Sequence, residues 1–231
     1  MKRFWTTAAA LPEDGHFVLR LDNKPLKLPG SPALRVPYGA LAAAIAAEWQ
    51  DAPAEFKPDD LPLTQLASTA QERVALHRAD IIRQLAAYGM NDLLCYRAGT
   101  PDPLVAEQRR LWDPWLHWAR ERFAVDLLTT TGVLPIDQHP DTAARFTAAL
   151  EAYTDYGIAA LGVIVPALGS LVLGLALAEG ALDAEAACAA ASTDELWQET
   201  RWGQDREALT RRRHVLAEVT ASRRFLELCQ G

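Results

Sequence analysis

The stretch DELWQETRWGQD (194–205) places Glu195, Glu199 and Asp205 beside Trp197, Trp202 and a glycine. Carboxylates at this spacing can exchange protons as a pair, recognise a partner, or simply cap and solvate a helix. On a helical wheel Glu195, Gln198, Glu199 and Trp202 share an arc of about 100°, whereas Trp197 lies opposite and joins Leu196 toward the core. Ser192 and Glu195 form S-x-x-E, the pattern of a capping box that satisfies free amides at a helix start. Gly203 ends that helix and Asp205 caps the next. Acid–base chemistry needs desolvation or a charged neighbour to retune a carboxyl group, and no pocket-forming pattern accompanies these residues. Recognition is more economical: carboxylates and an amide seek cationic or backbone donors on a partner, and the tryptophan supplies buried area.

The remaining patterns that could carry chemistry are sparse. There is no GxxxxGKS/T or GxGxxG loop for a nucleotide and no GxSxG elbow. The five histidines are dispersed, without HExxH or paired helical spacing, so neither a metal nor another cofactor is expected. His117 in WLHWAR reads as an imidazole at the core edge. Cys95 beside Tyr96 and Arg97 suggests a guanidinium-stabilised thiolate, although a lone cysteine in an apolar run is more often inert. Tyr96 and Arg97 together with surface carboxylates keep open an alternative reading, a small-molecule enzyme. Trp112, Trp115 and Trp118 recur at three-residue steps on a drifting helix face, a core-filling pattern whose alternative is an aromatic anchor.

The elements that position these residues follow from periodicity. In HFVLRLDNKPLKLPGSPALRV (16–36), Phe17, Leu19 and Leu21 alternate with Val18, Arg20 and Asp22. DNKP and PGSP supply turns, and Leu34 and Val36 begin a third short strand. From residue 37 the period becomes helical. Leu41, Ile45 and Trp49 step by four, and further helices begin near Leu63 and Ile81, the latter ended near Gly89. DLLCYRA (92–98) fits either a helix end or a strand, while VDLLTTTGVLPI reads as extended. Residues 103–123 are helical, restarted at Asp113-Pro114. Helices then fill 140–156, 169–179, 183–190 and both halves of 193–228. The fold class is α+β, mainly α: a small antiparallel β module over 1–37, extending to about 60, and a helical domain over 38–231.

Charge and hydropathy restrict the partners. The 231 residues carry a net charge of −7, and half are hydrophobic. This argues against nucleic acid and anionic membrane, which reward basic surfaces. Arg109-Arg110, Arg211 to Arg213 and Arg223-Arg224 are interleaved with glutamates and read as solvated faces. Three distant cysteines suggest a reducing compartment and no disulfide framework. The uncharged run 157–178 is long enough to span a bilayer. Its Pro166, its four glycines and the lack of flanking Lys or Arg favour a buried element broken near Pro166 and followed by a core helix capped by Ser170. No secretory signal is visible, so a cytoplasmic location is expected.

Seven segments carry a resemblance over nearly the whole chain: KPLKLP (24–29), AAIAAEWQ (43–50), LPLTQLASTA (61–70), DLLCYRA (92–98), QRRLWDPWLHW (108–118), GSLVLGLALAEG (169–180) and DELWQETRWGQD (194–205). In this order they resemble the Atp12-type assembly chaperones of ATP synthase. Gln50 departs from the acid expected after Glu-Trp, and Trp197 stands where a tyrosine or smaller residue is usual. The resemblance implies a non-enzymatic chaperone that binds the free α subunit and shields it from aggregation until the β subunit replaces it. No cofactor, small-molecule ligand, nucleic acid or stable membrane insertion is implied. The location would be bacterial cytoplasm, or the mitochondrial matrix had a presequence been removed. The family's functional acidic pair falls on Asp194 and Glu195, which extends the expected contact set to Asp194, Glu195, Gln198, Glu199, Trp202 and Asp205. Trp49 matches a characteristic family position with a structural register. Arg97 and Trp112 are further structural or functional candidates.

Overall fold

The computed structural model describes residues 1–28, 32–132 and 134–230, so most of the turn expected at PGSP lies outside the described residues. The fold is α+β and mainly helical, with a small antiparallel sheet near the N-terminus. Contacts divide it into two compact units, neither continuous in sequence. The first comprises Met1–Arg78, Thr154–Ala160 and Ala221–Gly231; the second comprises Ala79–Tyr153 and Leu161–Thr220.

In the first unit, β1 (Ala8–Glu13) and β2 (His16–Leu21) form a hairpin closed by Asp14 and Gly15, with φ of 50° and 76°. Positive φ at both loop residues matches the right-handed twist of the strands, which is why Asp-Gly is favoured there. Asp22 and Asn23 repeat the device before β3 (Lys24–Pro25). The strand β4 (Arg35–Val36) pairs with the other end of β2, through Phe17 and Val18. Val18 and Leu19 are both buried, so burial along β2 departs from strict alternation.

The helix α1 (Gly39–Asp51) buries Leu41, Ile45 and Trp49, the expected stripe. Trp49 packs against Trp5 and Phe56 and donates from Nε1 to Thr64 Oγ1 at 3.0 Å. Gln50 accepts from the Ala8 amide at 2.8 Å and donates to the Thr6 carbonyl at 3.2 Å. A carboxylate could not supply that second bond. Glu48 accepts from the Leu63 and Thr64 amides at the start of α2 (Pro62–Thr69). From the distant segments, Tyr156 stacks on Phe225 and donates its hydroxyl to the Arg35 carbonyl at 3.2 Å.

A π turn (Ala70–Val74) leads into α3 (Ala75–Met90), which ends one residue past Gly89, as expected. Gly89 is a point of close approach: a Cβ built on it would lie 2.3 Å from the Phe146 ring. In the second unit, Asp92 and a 3-10 turn (Leu93–Cys95) precede β5 (Tyr96–Arg97), which pairs in parallel with β6 (Thr130–Thr131). Among the described residues, the ambiguous DLLCYRA and the stretch read as extended thus contribute only two strand residues each.

The helix α4 (Asp102–Phe123) runs unbroken past Pro114, because Asp113 pairs with Arg97 and does not cap a new start. His117 is exposed and faces Glu121, not the core edge expected from its aromatic neighbours. The helix α5 (Thr142–Glu151) buries Phe146 and Leu150. The uncharged run divides after Pro166, not at it: α6 (Asp155–Leu168) contains the proline, and Gly169, with φ of 64°, ends the helix. Ser170 then caps α7 (Leu171–Ala178), accepting from the Leu173 amide, and every residue of α7 is buried. Among the described residues no helix is long and apolar enough to cross a membrane. Three helices complete the chain: α8 (Ala184–Ala191), α9 (Thr193–Trp202) and α10 (Arg206–Leu228).

Candidate functional site

The stretch 194–205 occupies α9 and the turn into α10, within the second unit. Its base is fixed by α4. The buried Trp112 indole donates to the Ala190 carbonyl at 2.8 Å and to Thr193 Oγ1 at 3.2 Å. Thr193 Oγ1 donates to the same carbonyl at 2.7 Å, so one tryptophan and one threonine lock the junction of α8 and α9. One turn earlier on α4, buried Gln108 accepts from the Ala98 amide at 2.8 Å and donates to Asp194 Oδ1 at 2.7 Å. Asp194 is therefore held from beneath by a neutral amide. Nothing local in the sequence predicts this contact of Gln108 with Asp194, 86 residues away.

Glu195 does not complete a capping box, and Ser192 makes no side-chain cap bond. Arginines on α10 take the carboxylate instead: Arg211 lies 2.9 Å and Arg212 3.2 Å from it. Arg212 also reaches Glu199 at 2.5 Å, and that pair is largely shielded from solvent. Glu199 above all holds the guanidinium's pKa above its ordinary value. The basic run 211–213, expected to be a solvated face, supplies this clamp. Its partners are 16 and 13 residues away, beyond any local rule.

Gln198, Trp202 and Asp205 are exposed, and Trp202 is 79% exposed. Asp205 accepts from the Glu207 amide at 2.9 Å, which establishes the expected cap of α10. Gly203, with φ of 89°, turns the chain between the two helices. Trp197 is half-buried under the Arg201 guanidinium, 4.6 Å from the ring centroid. Leu196, assigned to the core by the helical wheel, is 38% exposed. The structure thus brings Glu195 and Glu199 together on one cation and separates them from the open group Gln198, Trp202 and Asp205.

Tyr96 donates its hydroxyl to Asn91 Oδ1 at 3.2 Å, and the Arg97 Nε donates to the Leu94 carbonyl at 2.8 Å. Burial pushes the Cys95 thiol up to about 12, assisted by the nearby Asp92 charge, so it stays protonated. Among the described residues no cluster of His, Cys, Asp and Glu could hold a metal ion.

Residues 2–120 match the family described as ATP12 chaperone protein. The chain belongs to the ATP12 chaperone family. This bears out the resemblance drawn from the seven motifs, and with it a role in ATP synthase assembly. It is 26% identical over 243 residues to the protein named atp12, mitochondrial, of Schizosaccharomyces pombe, covering 99% of this chain and 82% of that one. The crystal structure of Atp12 from Paracoccus denitrificans is 39% identical with a TM-score of 0.94, covering 99% of this chain and 98% of that chain. An aspartate-to-lysine mutant of the Paracoccus protein matches at 38% identity and a TM-score of 0.93, over 99% and 98% of the two chains. A protein from Agrobacterium tumefaciens is 36% identical with a TM-score of 0.94, covering 99% of this chain and 86% of that chain. The ATP12 relatives therefore include both a mitochondrial and a bacterial protein.

Proposed function

We propose that this chain binds the free α subunit of the ATP synthase catalytic head and prevents its aggregation until the β subunit replaces it. It does so without catalysis and without a cofactor, in bacterial cytoplasm or in the mitochondrial matrix. The contact surface is the α9–α10 turn: Trp202 and Gln198 meet the client, Asp205 lies at the rim, and Asp194, Glu195 and Glu199 shape the helix behind them. The observation that carries this reading is an indole left 79% exposed beside a rigidly clamped helix, in a member of an assembly-chaperone family. A large apolar side chain ringed by polar groups suits a contact that must later be released. Against the enzymatic alternative, Tyr96 and Arg97 both spend donors on structural bonds, and Cys95 is a buried, protonated thiol.

The test is co-expression with an ATP synthase α subunit, read as soluble α and as co-purification. Trp202→Ala is expected to weaken the complex by about 30-fold or more, the loss typical of an aromatic hot spot, with an unchanged melting temperature. Absence of both a complex and any gain in α solubility overturns the proposal. A complex indifferent to Trp202→Ala together with Gln198→Ala moves the contact away from α9.

A further inference from the structure

We propose that the cleft between α4 and the β5–β6 pair is a binding site for a carboxylate group. The cleft has a volume of about 460 Å³ and lies wholly within the second unit. Arg97, Gln108, Arg109, Asp113 and Thr129–Thr131 line it.

Three observations point to an anionic occupant. The first is Arg97, whose side chain is only 10% exposed and lies 5.2 Å from the Trp112 ring centroid. Its Nη2 sits 2.8 Å from Asp113 Oδ1, yet it makes no hydrogen bond there or elsewhere among the described residues. A buried guanidinium donor satisfied in charge but not in direction is costly unless a further acceptor completes it. The second is that Arg109 and Thr129–Thr131 line the same cleft, so a second guanidinium and threonine hydroxyls stand open beside Arg97. Two guanidinium groups and threonine hydroxyls gathered in one cleft suit a planar oxyanion. The third is charge: Arg97 and Arg109 against Asp113 leave one positive charge, which a single carboxylate neutralises.

The cleft is far larger than one carboxylate, and Ala98 and Val105 give it apolar wall for the body that carries the charge. That body is either a free small acid, a departure from the sequence-based expectation of no small-molecule ligand, or an acidic side chain of a protein client. Asp113 already borrows the site from within, so an incoming carboxylate competes with it for Arg97.

Titration of the ¹⁵N-labelled full chain with sodium glutarate, at ionic strength held constant with sodium chloride, reads the site directly. Saturable shifts are expected at the Ala98, Thr130 and Thr131 amides and at Arg109 Nε. Arg109→Ala combined with Thr130→Val weakens glutarate binding at least tenfold, while Asp113→Asn tightens it several-fold by removing the internal competitor. Capture of the α subunit with and without glutarate then separates the sources. Competition assigns the carboxylate to the client; undisturbed capture with saturable glutarate shifts assigns it to a free acid. Shifts absent, non-saturable, or equal in the double variant overturn the proposal. The titration needs no client, so it stands or falls independently of the α-subunit reading.

Discussion

Arg212 determines how Glu195 and Glu199 behave. One guanidinium spans both carboxylates, and with Arg211 it converts what looked like an acidic face into an internal tie between α9 and α10. Arg212→Ala leaves Glu199 half-buried without its partner and is expected to cost about 1–2 kcal/mol, lowering Tm by roughly 3–6 °C. Glu195→Lys places a cation against Arg211 and Arg212, so it should lower Tm as well as any client affinity; Trp202→Ala should change affinity alone. Comparing thermal denaturation of the three variants separates fold from contact. Asp92 yields a prediction of a different kind. It is fully buried and accepts from the Val172 and Leu94 amides, yet burial dominates and raises its pKa to about 6. A carboxyl group that holds its proton more tightly when folded contributes stability below its unfolded value near 4, and that contribution is lost as pH rises through 6. The stability difference between the native chain and Asp92→Asn should therefore shrink, by on the order of 2–3 kcal/mol between pH 4 and 7 in urea melts.

At the scale of elements, packing overrides local signals at identifiable places. Gly89 lies at the end of α3, as the sequence reads, but packing gives it a second role, since the Phe146 ring occupies the space a Cβ would need. Gly89→Ala should lose about 1–3 kcal/mol to overpacking despite alanine's better helix propensity, visible as a lower urea midpoint. Pro166 is accommodated inside α6, and the left-handed Gly169 makes the break. Some of what escaped was legible. Asp14-Gly15 is a strong hairpin signal, and it announces β1, which a reading begun at His16 passes over. Other features were not legible, since Gln108 to Asp194 and Arg212 to Glu199 join residues that share no periodicity. Gln50, flagged only as a departure, pins the segment before β1. Gln50→Glu keeps the Ala8 bond but sets a carboxylate against the Thr6 carbonyl, and hydrogen exchange at Thr7 and Ala8 should accelerate while the global midpoint barely moves.

For the whole molecule, periodicity delivered the class and the order of elements, and the motifs delivered the family. How the chain divides in space was beyond both. The segments Thr154–Ala160 and Ala221–Gly231 join the unit that contains the sheet, because Tyr156 and Phe225 stack there and Tyr156 bonds to the Arg35 carbonyl. Deleting residues 221–230 should therefore raise hydrogen exchange in β2 and α1 before it affects α7, although those strands lie at the opposite end of the sequence. Such an outcome would place the weakness where contacts, not chain proximity, predict it.

That interleaving also imposes a timetable. While the ribosome is still translating, the sheet and α1 exist, but Phe225, which stacks on Tyr156, does not. At about 5–20 residues per second the lag after Arg78 is on the order of ten to thirty seconds. The first unit is thus completed late, with Tyr156 awaiting Phe225 during synthesis. A member of a chaperone family thus passes through an exposed interval of its own, which closes only once Phe225 has been made.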